Sequence, residues 1–556
     1  MAALLAPRRF WQQHAAACMG LTALLVGLAC WTYYYASGLT TAHYDAKAHL
    51  VVARRIIDSH SPGYEQIGSH WLPLIHLLYL PFVAVDSQYR SGMLPSLISV
   101  LAMAVSVWAV FRLSLRATGS VPAASIAGLI LLANPNVEYL QGAPLTEPVY
   151  MMLNLLCLDG MMRWQERRTS RIPWLPALWC ALGALCRYEG WYFLGGLILV
   201  LLADAVRDRS RVALKTAGVF LAVSALPLAL HFGYIYARLG DSFLHFVARG
   251  NVAPYETYKR PLLSLAYHAG ELAQAASLLP LIAGLAGTVL CMRKRNGGSQ
   301  HALLLLLWLP SLVNISALYW GLIYRVRYSV LLLPALSVFA SFLVASQGAV
   351  RRFLTLGTLA VICLPWVSWM FPHEWSYHFM YPGPGAIVLP LMAAAVWMWG
   401  KAAQKYTLPL ALLLVLGMQM PVLEGETRAV LQEAREHDYI EPQRREVLAY
   451  LRSHYDGLPI LVDMSRLAPM VYDSSLPVKQ FVYNEGASES WRQAVLAPHE
   501  VVGWLLAEEG DEIWNRLQID PRWAGRYALA VRTADIVLYR LRTEESPAWP
   551  PAKPSP

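Results

Sequence analysis

The sequence predicts an all-α polytopic membrane protein with a small α/β domain at its C-terminal end. Two observations carry this prediction. Hydrophobic residues make up 56% of the 556 residues and charged residues only 15%, whereas soluble chains are about one quarter charged. The apolar residues also form runs of about 15 to 25 that are apolar on every side, which is the length that spans a bilayer as a helix.

The chain contains about thirteen such runs, each a predicted transmembrane helix. They lie near 15–35, 93–111, 121–134, 145–162, 174–187, 191–204, 211–232, 270–292, 300–320, 328–346, 353–371, 386–400 and 407–421. The region 174–204 could instead form a single kinked span.

The net charge of +9 comes largely from basic residues in short loops between apolar runs, so it does not indicate a nucleic-acid partner. These loops fall on one side of the membrane if the N-terminus is cytoplasmic, as the positive-inside rule requires. Examples are Arg112/Arg116, Arg163/Arg167, Arg207/Arg209 and Arg351/Arg352. An odd number of spans then places the C-terminal domain outside the cytoplasm. We expect a multi-pass protein of the bacterial inner membrane.

The composition divides the chain into three parts. Residues 1–421 form the predicted membrane module, whose first outer loop is 36–92. Residues 422–545 are more charged and form the predicted soluble α/β domain, and 546–556 (SPAWPPAKPSP) is a Pro-rich tail that we expect to be disordered. Within the domain we predict helices at 441–454 and 488–497 and strands at 459–463, 478–483, 500–506, 526–532 and 535–541.

Two helical segments are predicted in the first outer loop. Residues 44–59 (YDAKAHLVVARRIIDS) form an amphipathic pattern with Leu50, Val51, Ile56 and Ile57 on the apolar side. Residues 70–85 are apolar but short and contain proline, so they favour an interfacial or re-entrant segment.

Acidic residues near the outer face are candidates for chemistry, because a carboxylate at a membrane is costly unless it is solvated or used. Asp45 opens the amphipathic helix. It could complement the helix N-terminus or act as a general base. Glu147, in GAPLTEPVY, could mark a helix start or face an outer cavity. Glu65, Glu138, Tyr44 and His70 are further candidates for contact with a substrate.

Cationic residues at the outer face are unexpected, because positive charge normally stays inside. Arg325 and Arg327 lie among aromatic residues in YWGLIYRVRYSV. They could snorkel to the interface or hold a phosphate, which the planar guanidinium fork matches. Lys259 and Arg260, beside Tyr255 and Tyr258, could serve the same purpose.

Two other polar features favour structural interpretations. Arg187 and Glu189 in RYEGW are interpreted as a local ion pair at a tight turn. The first loop is rich in histidine, but the spacing lacks the cysteine and carboxylate partners of a zinc site. No cofactor is therefore predicted, and a bound divalent metal is left as the weaker alternative. These histidines are His43, His49, His60, His70 and His76.

The order of these motifs resembles the GT-C superfamily of membrane glycosyltransferases over roughly residues 10–400. A first span is followed by Asp45 on an amphipathic helix and by WLPL, and then by TEPVY, RYEGW and RVRY at later span boundaries. The dolichyl-phosphate-mannose protein mannosyltransferases and the bacterial transferases of aminoarabinose to lipid A are the most similar members.

The resemblance implies an inverting transfer of a sugar from a polyprenyl-phosphate donor on the outer face. It assigns Asp45 as the general base, Glu147 as a residue that orients donor or acceptor, and Arg325 and Arg327 as ligands of the donor phosphate. The transferred sugar would be mannose or pentose-like, and the acceptor a lipid, a glycan or a protein. Many relatives have paired acids in the first loop, whereas Asp45 is followed by Ala46 and Lys47, which leaves the acceptor open.

Two other functions compete with this hypothesis. A flippase or transporter would show discontinuous helices, mid-membrane charges and repeated halves, but the sequence has no repeat. A polysaccharide ligase would rely on a large outer loop between late spans.

Overall fold

The computed structural model describes residues 2–167, 172–240, 256–276, 278–294, 298–322, 324–346, 429–436, 441–484 and 489–542. The chain divides into two compact units. The first unit comprises Met1–Ser37, Ser96–Leu228 and Gly250–Glu433. The second unit comprises Gly38–Pro95, Ala229–Arg249 and Ala434–Pro556.

Helices form most of the described chain. Those up to residue 345 are α1 (Ala2–Ala36), α2 (Tyr44–Arg55), α3 (Pro73–Val83), α4 (Asp86–Ser91), α5 (Met93–Thr118), α6 (Val121–Leu132), α7 (Pro135–Leu140), α8 (Glu147–Arg167), α9 (Trp174–Ala184), α10 (Glu189–Arg207), α11 (Arg211–Leu239), α12 (Pro261–Ala276), α13 (Leu278–Arg293), α14 (Gly298–Leu305), α15 (Leu309–Trp320), α16 (Val326–Val330) and α17 (Leu333–Ala345). Later elements are α18 (Ala429–Glu436), α19 (Glu441–His454), β1 (Ile460–Val462), α20 (Met464–Asp473), β2 (Phe481–Tyr483), α21 (Glu489–Leu496), α22 (Pro498–Val501), β3 (Trp504–Glu508), α23 (Glu512–Ile519), α24 (Pro521–Arg526), β4 (Tyr527–Arg532) and β5 (Ile536–Leu541).

Six helical segments of the described residues are long and apolar enough to cross a membrane. They are His14–Ala36, Met93–Thr118, Glu189–Arg207, Arg211–Leu239, Gly298–Trp320 and Val326–Ala345. The predicted spans at 121–134 and 174–187 correspond to α6 and α9, which have 12 and 11 residues and are shorter than a bilayer requires. The predicted spans at 353–371, 386–400 and 407–421 lie outside the described residues.

The predicted span at 270–292 falls on a bent pair of helical segments. The two segments, Pro261–Ala276 and Pro280–Arg293, meet at 112°. Pro280 lies in the first turn of α13, where a missing backbone N–H leaves no helical hydrogen bond unmade.

Close backbone packing in the first unit depends on glycine. A Cβ atom at Gly287 on α13 would collide with the carbonyl oxygen of Phe339 on α17, and one at Gly284 would lie 2.6 Å from the side chain of Leu336. Small residues at this spacing let two helices approach closely where lipid provides no hydrophobic drive.

A group of three arginines in the first unit surrounds Asp159 on α8. This carboxylate is fully buried and pairs with Arg112, Arg116 and Arg163 at 3.3, 3.0 and 2.9 Å. A buried carboxylate is tolerated only when cations and hydrogen bonds compensate for its lost hydration.

The second unit contains a five-stranded sheet with the strand order β2-β1-β3-β5-β4. Strand β1 pairs in parallel with β2 and β3, and β5 pairs antiparallel with β3 and β4. Its core includes Leu461, Val482, Leu505, Trp523 and Tyr527, all at most 2% exposed. The predicted fold class, a helical membrane protein with a C-terminal α/β domain, is confirmed.

Two predicted strands begin later than the sequence pattern suggested. Residues 478–480 form a 3₁₀ turn, so the strand predicted at 478–483 is reduced to β2. The strand predicted at 500–506 starts at Trp504, because Pro498 begins the short helix α22. Proline has the backbone angle of a first helical turn and lacks the donor that a strand would use. The predicted domain boundary at 421 and the tail 546–556 lie outside the described residues.

The predicted amphipathic helix of the first loop forms, but α2 ends at Arg55 rather than at residue 59. Leu50 and Val51 are fully buried and Ile56 is nearly so, whereas Ile57 is 44% exposed. The segment predicted at 70–85 contains the 11-residue helix α3.

Candidate functional site

Four charged side chains of the first unit form a buried cluster, which we call the charge cluster: Glu147, Arg187, Glu189 and Arg327. Glu147 is the first residue of α8 and its side chain is 0% exposed. One carboxylate oxygen, Oε1, accepts hydrogen bonds from Arg187 Nη1 at 2.7 Å and from Arg327 Nη1 at 2.9 Å. The structure therefore joins three separate parts of the sequence at one carboxylate.

Arg187 is the centre of the charge cluster. It donates through Nε and Nη2 to both oxygens of Glu189, at 3.1 and 2.7 Å, and through Nη1 to the hydroxyl of Thr146 at 2.7 Å. The fork of a guanidinium matches a carboxylate in this two-bond arrangement. The ring of Tyr328 lies 5.2 Å from the Arg187 guanidinium and 5.1 Å from that of Arg327, a contact that favours a cation.

The charges of the cluster balance, with two guanidinium groups and two carboxylates. The side chains are 10%, 6% and 5% exposed for Arg187, Glu189 and Arg327. Removing any one charge would leave another buried without its counter-charge. The geometry holds Glu147 in a fixed position and directs its lone pairs to arginine, which suits an orienting role better than acceptance of a proton.

The sequence interpretation of this region was incomplete. The local pair of Arg187 and Glu189 is present, and Glu147 and Arg327 were both predicted as site residues. The contact between Arg187 and Glu147, across 40 residues of sequence, was missed. A signal existed, because TEPVY and RYEGW place opposite charges beside apolar runs that are neighbours in the chain.

The remaining predicted phosphate ligands lie elsewhere in the first unit. Arg325 precedes α16, is 40% exposed, and its Nε lies 3.6 Å from an oxygen of Glu433. Lys259 and Arg260 are exposed, and the Lys259 ammonium lies 4.9 Å from the ring of Tyr258. Arg325 and Arg327 therefore have different partners despite their closeness in sequence. Tyr255 lies outside the described residues.

Glu138, the other predicted acid of the first unit, is half-buried in the first turn of α7. That turn is capped by Asn134, whose side chain accepts from the backbone N–H groups of Asn136 and Val137. An acid in this position also complements the helix N-terminus.

Asp45 belongs to the second unit, where it is half-buried in the first turn of α2. The ring of His43 caps the helix by accepting from the Asp45 backbone N–H at 3.0 Å. The neighbouring Tyr44 hydroxyl donates to the carbonyl oxygen of Ser465 at 2.9 Å. The position of Asp45 fits both interpretations from the sequence, a helix N-terminal acid and a general base.

Glu65 is held by α11 within the second unit. Its side chain is 16% exposed, accepts a hydrogen bond from the Tyr234 hydroxyl at 3.1 Å, and lies 3.6 Å from Arg238. The adjacent Tyr64 hydroxyl lies 2.8 Å from Nδ1 of His231. Burial, followed by the nearby Tyr234, raises the pKa of Tyr64 to about 12, so the phenol stays protonated at neutral pH and can donate to that imidazole.

Three histidines of the first loop form ring contacts: His49, His70 and His76. His70 packs against Trp71, with ring centroids 5.2 Å apart, and Nδ1 of His49 lies 3.1 Å from Nε2 of His76. Among the described residues, no group of three or more His, Cys, Asp or Glu side chains could hold a metal ion.

Comparisons with known proteins give one family and several structures. Residues 85–233 match the family model "Dolichyl-phosphate-mannose-protein mannosyltransferase". This stretch contains TEPVY and RYEGW but neither Asp45 nor RVRY. No curated protein sequence matches the chain.

The structural matches extend over almost the whole chain. The structure of ArnT from Cupriavidus metallidurans bound to undecaprenyl phosphate aligns with a TM-score of 0.58 and 15% identity, and covers 95% of this chain and 99% of that one. ArnT from the same organism in the apo state aligns with a TM-score of 0.59 and 15% identity, and the alignment covers 94% of this chain and 98% of that one. A third match is the archaeal oligosaccharyltransferase AglB from Archaeoglobus fulgidus in complex with an inhibitory peptide and a dolichol-phosphate. It aligns with a TM-score of 0.50 and 11% identity, and the alignment covers 97% of this chain and 75% of that one.

Proposed function

We propose that this chain, which has the GT-C fold of membrane glycosyltransferases, moves a sugar from a polyprenyl-phosphate donor to an acceptor on the extracytoplasmic face. The observation that carries the proposal is the alignment with ArnT bound to undecaprenyl phosphate, which spans 95% of this chain and 99% of that one. A likeness of this extent takes in nearly all residues of both chains. Mannose or a pentose-like sugar is the proposed group, and a lipid, a glycan or a protein the proposed acceptor.

The proposed reaction is a single inverting displacement. The acceptor hydroxyl attacks the anomeric carbon, the bond to the phosphate oxygen breaks, and polyprenyl phosphate leaves with the bonding electrons. The phosphate is already a good leaving group, so the enzyme must supply a base, cations and alignment of the two substrates. Asp45 is the proposed base, because it is a half-buried carboxylate on a helix at the start of the first loop.

The donor phosphate is proposed to bind cationic residues of the first unit. Lys259 and Arg260 suit this role because their side chains are exposed. Arg325 is partly exposed and also suits it, whereas Arg327 would have to share its guanidinium between Glu147 and the phosphate. Glu147 is therefore proposed to orient the two arginines that it pairs with, and through them the donor.

Four further residues are proposed to contact donor or acceptor: Glu65, Glu138, Tyr44 and His70. The proposed orientation, with the N-terminus in the cytoplasm and the C-terminal domain outside it, is supported by the basic loops between spans. We propose the bacterial inner membrane as the location. The proposed chemistry is written without a cofactor, and a bound divalent metal stays the weaker alternative.

A flippase or transporter is kept as the second candidate. The 112° bend between the segments Pro261–Ala276 and Pro280–Arg293 is a feature that this function predicts.

The test compares wild type with Asp45→Asn in proteoliposomes supplied with a panel of radiolabelled polyprenyl-phosphate sugars. Asp86→Asn is the matched control, because Asp86 lies in the same loop with its side chain 64% exposed. We expect transfer by wild type and by the control, and a loss of about 10²-fold or more in Asp45→Asn with donor binding retained. Equal rates in all three would remove Asp45 from the chemistry. Donor movement across the bilayer without transfer would favour the transporter.

A further inference from the structure

The helix that carries Asp45 contacts the C-terminal domain through residues on both sides of Asp45. One position before it, the Tyr44 hydroxyl donates to the Ser465 carbonyl at 2.9 Å. Two positions after it, the Lys47 ammonium pairs with Asp473 at 2.6 Å. Both partners lie on α20 of the domain, Ser465 in its first turn and Asp473 at its last residue. The first turn of α2 is thus held at two points within one compact unit.

The rest of the first loop contacts the same short stretch of the domain, residues 465–483. Asp58 accepts from the backbone N–H of Val478 at 3.3 Å, and the Tyr483 hydroxyl donates to Gln66 at 2.7 Å. Arg90 donates to the carbonyl oxygens of Tyr472 and Leu476, and the Tyr472 hydroxyl donates back to the carbonyl oxygen of Arg90. The contacts are spread along the loop, so the domain holds the loop at several separate positions.

A buried arginine connects α2 to the segment that carries Glu65. Arg55 is fully buried, donates to the carbonyl oxygens of Gln66 and Ile67, and lies 5.6 Å from the ring of Tyr483. A guanidinium in this position is held by several partners at once. The relative placement of Asp45 and Glu65 in this unit therefore depends on groups from the domain.

The energetics of short helices explain why this attachment matters. Helix α2 has 12 residues, and isolated helices of fewer than about 12 to 15 residues are marginal in water. Its order must come from tertiary contacts. The Lys47 and Asp473 side chains are only 16% and 28% exposed, so their attraction is less weakened by solvent than that of a surface pair.

We infer that Asp473 is a positioning residue of the enzyme, acting through Lys47 on the placement of the helix α2 that carries Asp45. The C-terminal domain is then a part of the catalytic apparatus rather than only an attachment to it. This inference rests on the proposed function, in which Asp45 takes the acceptor proton. A base must lie within hydrogen-bonding reach of that proton, and a displacement of about 1 Å can lower a rate about 10²-fold.

The test is a charge exchange between the two residues. Asp473→Lys and Lys47→Asp are made singly and together, with Asp473→Asn as a milder variant that keeps the shape of the side chain. We expect each charge reversal to lower kcat about 10-fold to 100-fold with less than about a threefold change in the KM for the donor. The double exchange should recover to within about fivefold of wild type, because it restores the ion pair but not the contact of Lys47 with the Tyr472 ring.

A second readout follows the helix itself. Amide hydrogen exchange of residues 44–55 should quicken several-fold in the single variants and return towards the wild-type rate in the double exchange. The matched control exchanges Glu512 and Arg516, an ion pair of 3.0 Å on α23 of the same domain. We expect that exchange to change neither kcat nor the amide exchange of α2.

The outcomes separate this inference from the proposed function. Single variants with unchanged kcat and unchanged amide exchange would overturn the positioning role, as would a folded double variant that recovers neither. If wild type transfers no sugar, the proposed function fails. The amide exchange of α2 then decides the inference alone. Faster exchange in the single variants that is reversed in the double exchange supports the attachment, and unchanged exchange in the single variants overturns it.

Discussion

Neutralising Glu147 should destabilise the first unit strongly, and neutralising its partner Arg327 as well should recover part of the loss. Glu147 is fully buried and accepts from Arg187 and Arg327 at 2.7 and 2.9 Å. In Glu147→Gln, two guanidinium groups would face only one carboxylate. Breaking a buried pair by removing one partner costs about 3 to 5 kcal/mol, so we expect a decrease of that size in the free energy of unfolding.

The magnitude of the recovery follows from the geometry. Two unit charges about 4 Å apart attract by about 4 kcal/mol at an effective dielectric constant of ~20. In Glu147→Gln/Arg327→Gln both charges are absent, and the two-bond pair of Arg187 with Glu189 remains. We therefore expect the double variant to be about 2 to 4 kcal/mol more stable than the sum of the single effects predicts.

The assay is equilibrium unfolding in mixed micelles with increasing denaturing detergent, applied to wild type, both single variants and the double variant. Glu166→Gln is the matched control. It removes a carboxylate that is 39% exposed and pairs with Arg116 at 2.5 Å, and we expect a change below about 1 kcal/mol. A coupling energy within about 0.5 kcal/mol of zero would refute the assignment of a closed charge cluster.

Three further predictions concern other charged groups. Asp159→Asn should lower the free energy of unfolding by about 3 to 5 kcal/mol in the same assay, because it leaves three arginines around a buried site without their shared carboxylate. Burial raises the pKa of Asp511 to about 6, above its value of about 3.9 in an unfolded chain. The folded domain then binds this proton more tightly, so stability from this group falls by up to about 3 kcal/mol as the pH rises from about 4 to 6. Chemical unfolding at several pH values should give a flatter profile for Asp511→Asn, and an unchanged profile would contradict the assignment. Lys259→Gln/Arg260→Gln should raise the KM for the lipid-phosphate donor about tenfold, equivalent to ~1.4 kcal/mol, whereas Arg207→Gln at another exposed arginine should not.

The sequence predicted the fold class because bilayer spanning is a local property of composition. Runs of apolar residues can be recognised without knowing what they pack against. The predicted spans at 121–134 and 174–187 were among the shorter ones, and the helices found there, α6 and α9, have only 12 and 11 residues. The same criterion also missed the bend between Pro261–Ala276 and Pro280–Arg293, since a proline in an apolar run does not reveal whether the helix bends or ends.

The candidate site was predicted as a set of residues but not as an arrangement. Glu147 and Arg327 were each chosen for charge at a span boundary, yet their ion pair joins positions 180 residues apart. Such a contact depends on how the helices pack, and one sequence carries no record of that packing. Arg187 was missed as a partner of Glu147 for the same reason, because a nearby acid, Glu189, provided a sufficient local explanation.

The most direct test of the proposed function is to follow both products of the reaction in proteoliposomes. The purified chain is given a polyprenyl-phosphate sugar of known anomeric configuration and a panel of lipid, glycan and peptide acceptors. We predict one free polyprenyl phosphate released per sugar transferred, and a product whose anomeric configuration, read by nuclear magnetic resonance, is opposite to that of the donor. A product with retained configuration, or a donor that stays intact with every acceptor while the protein remains folded, would contradict the proposed function.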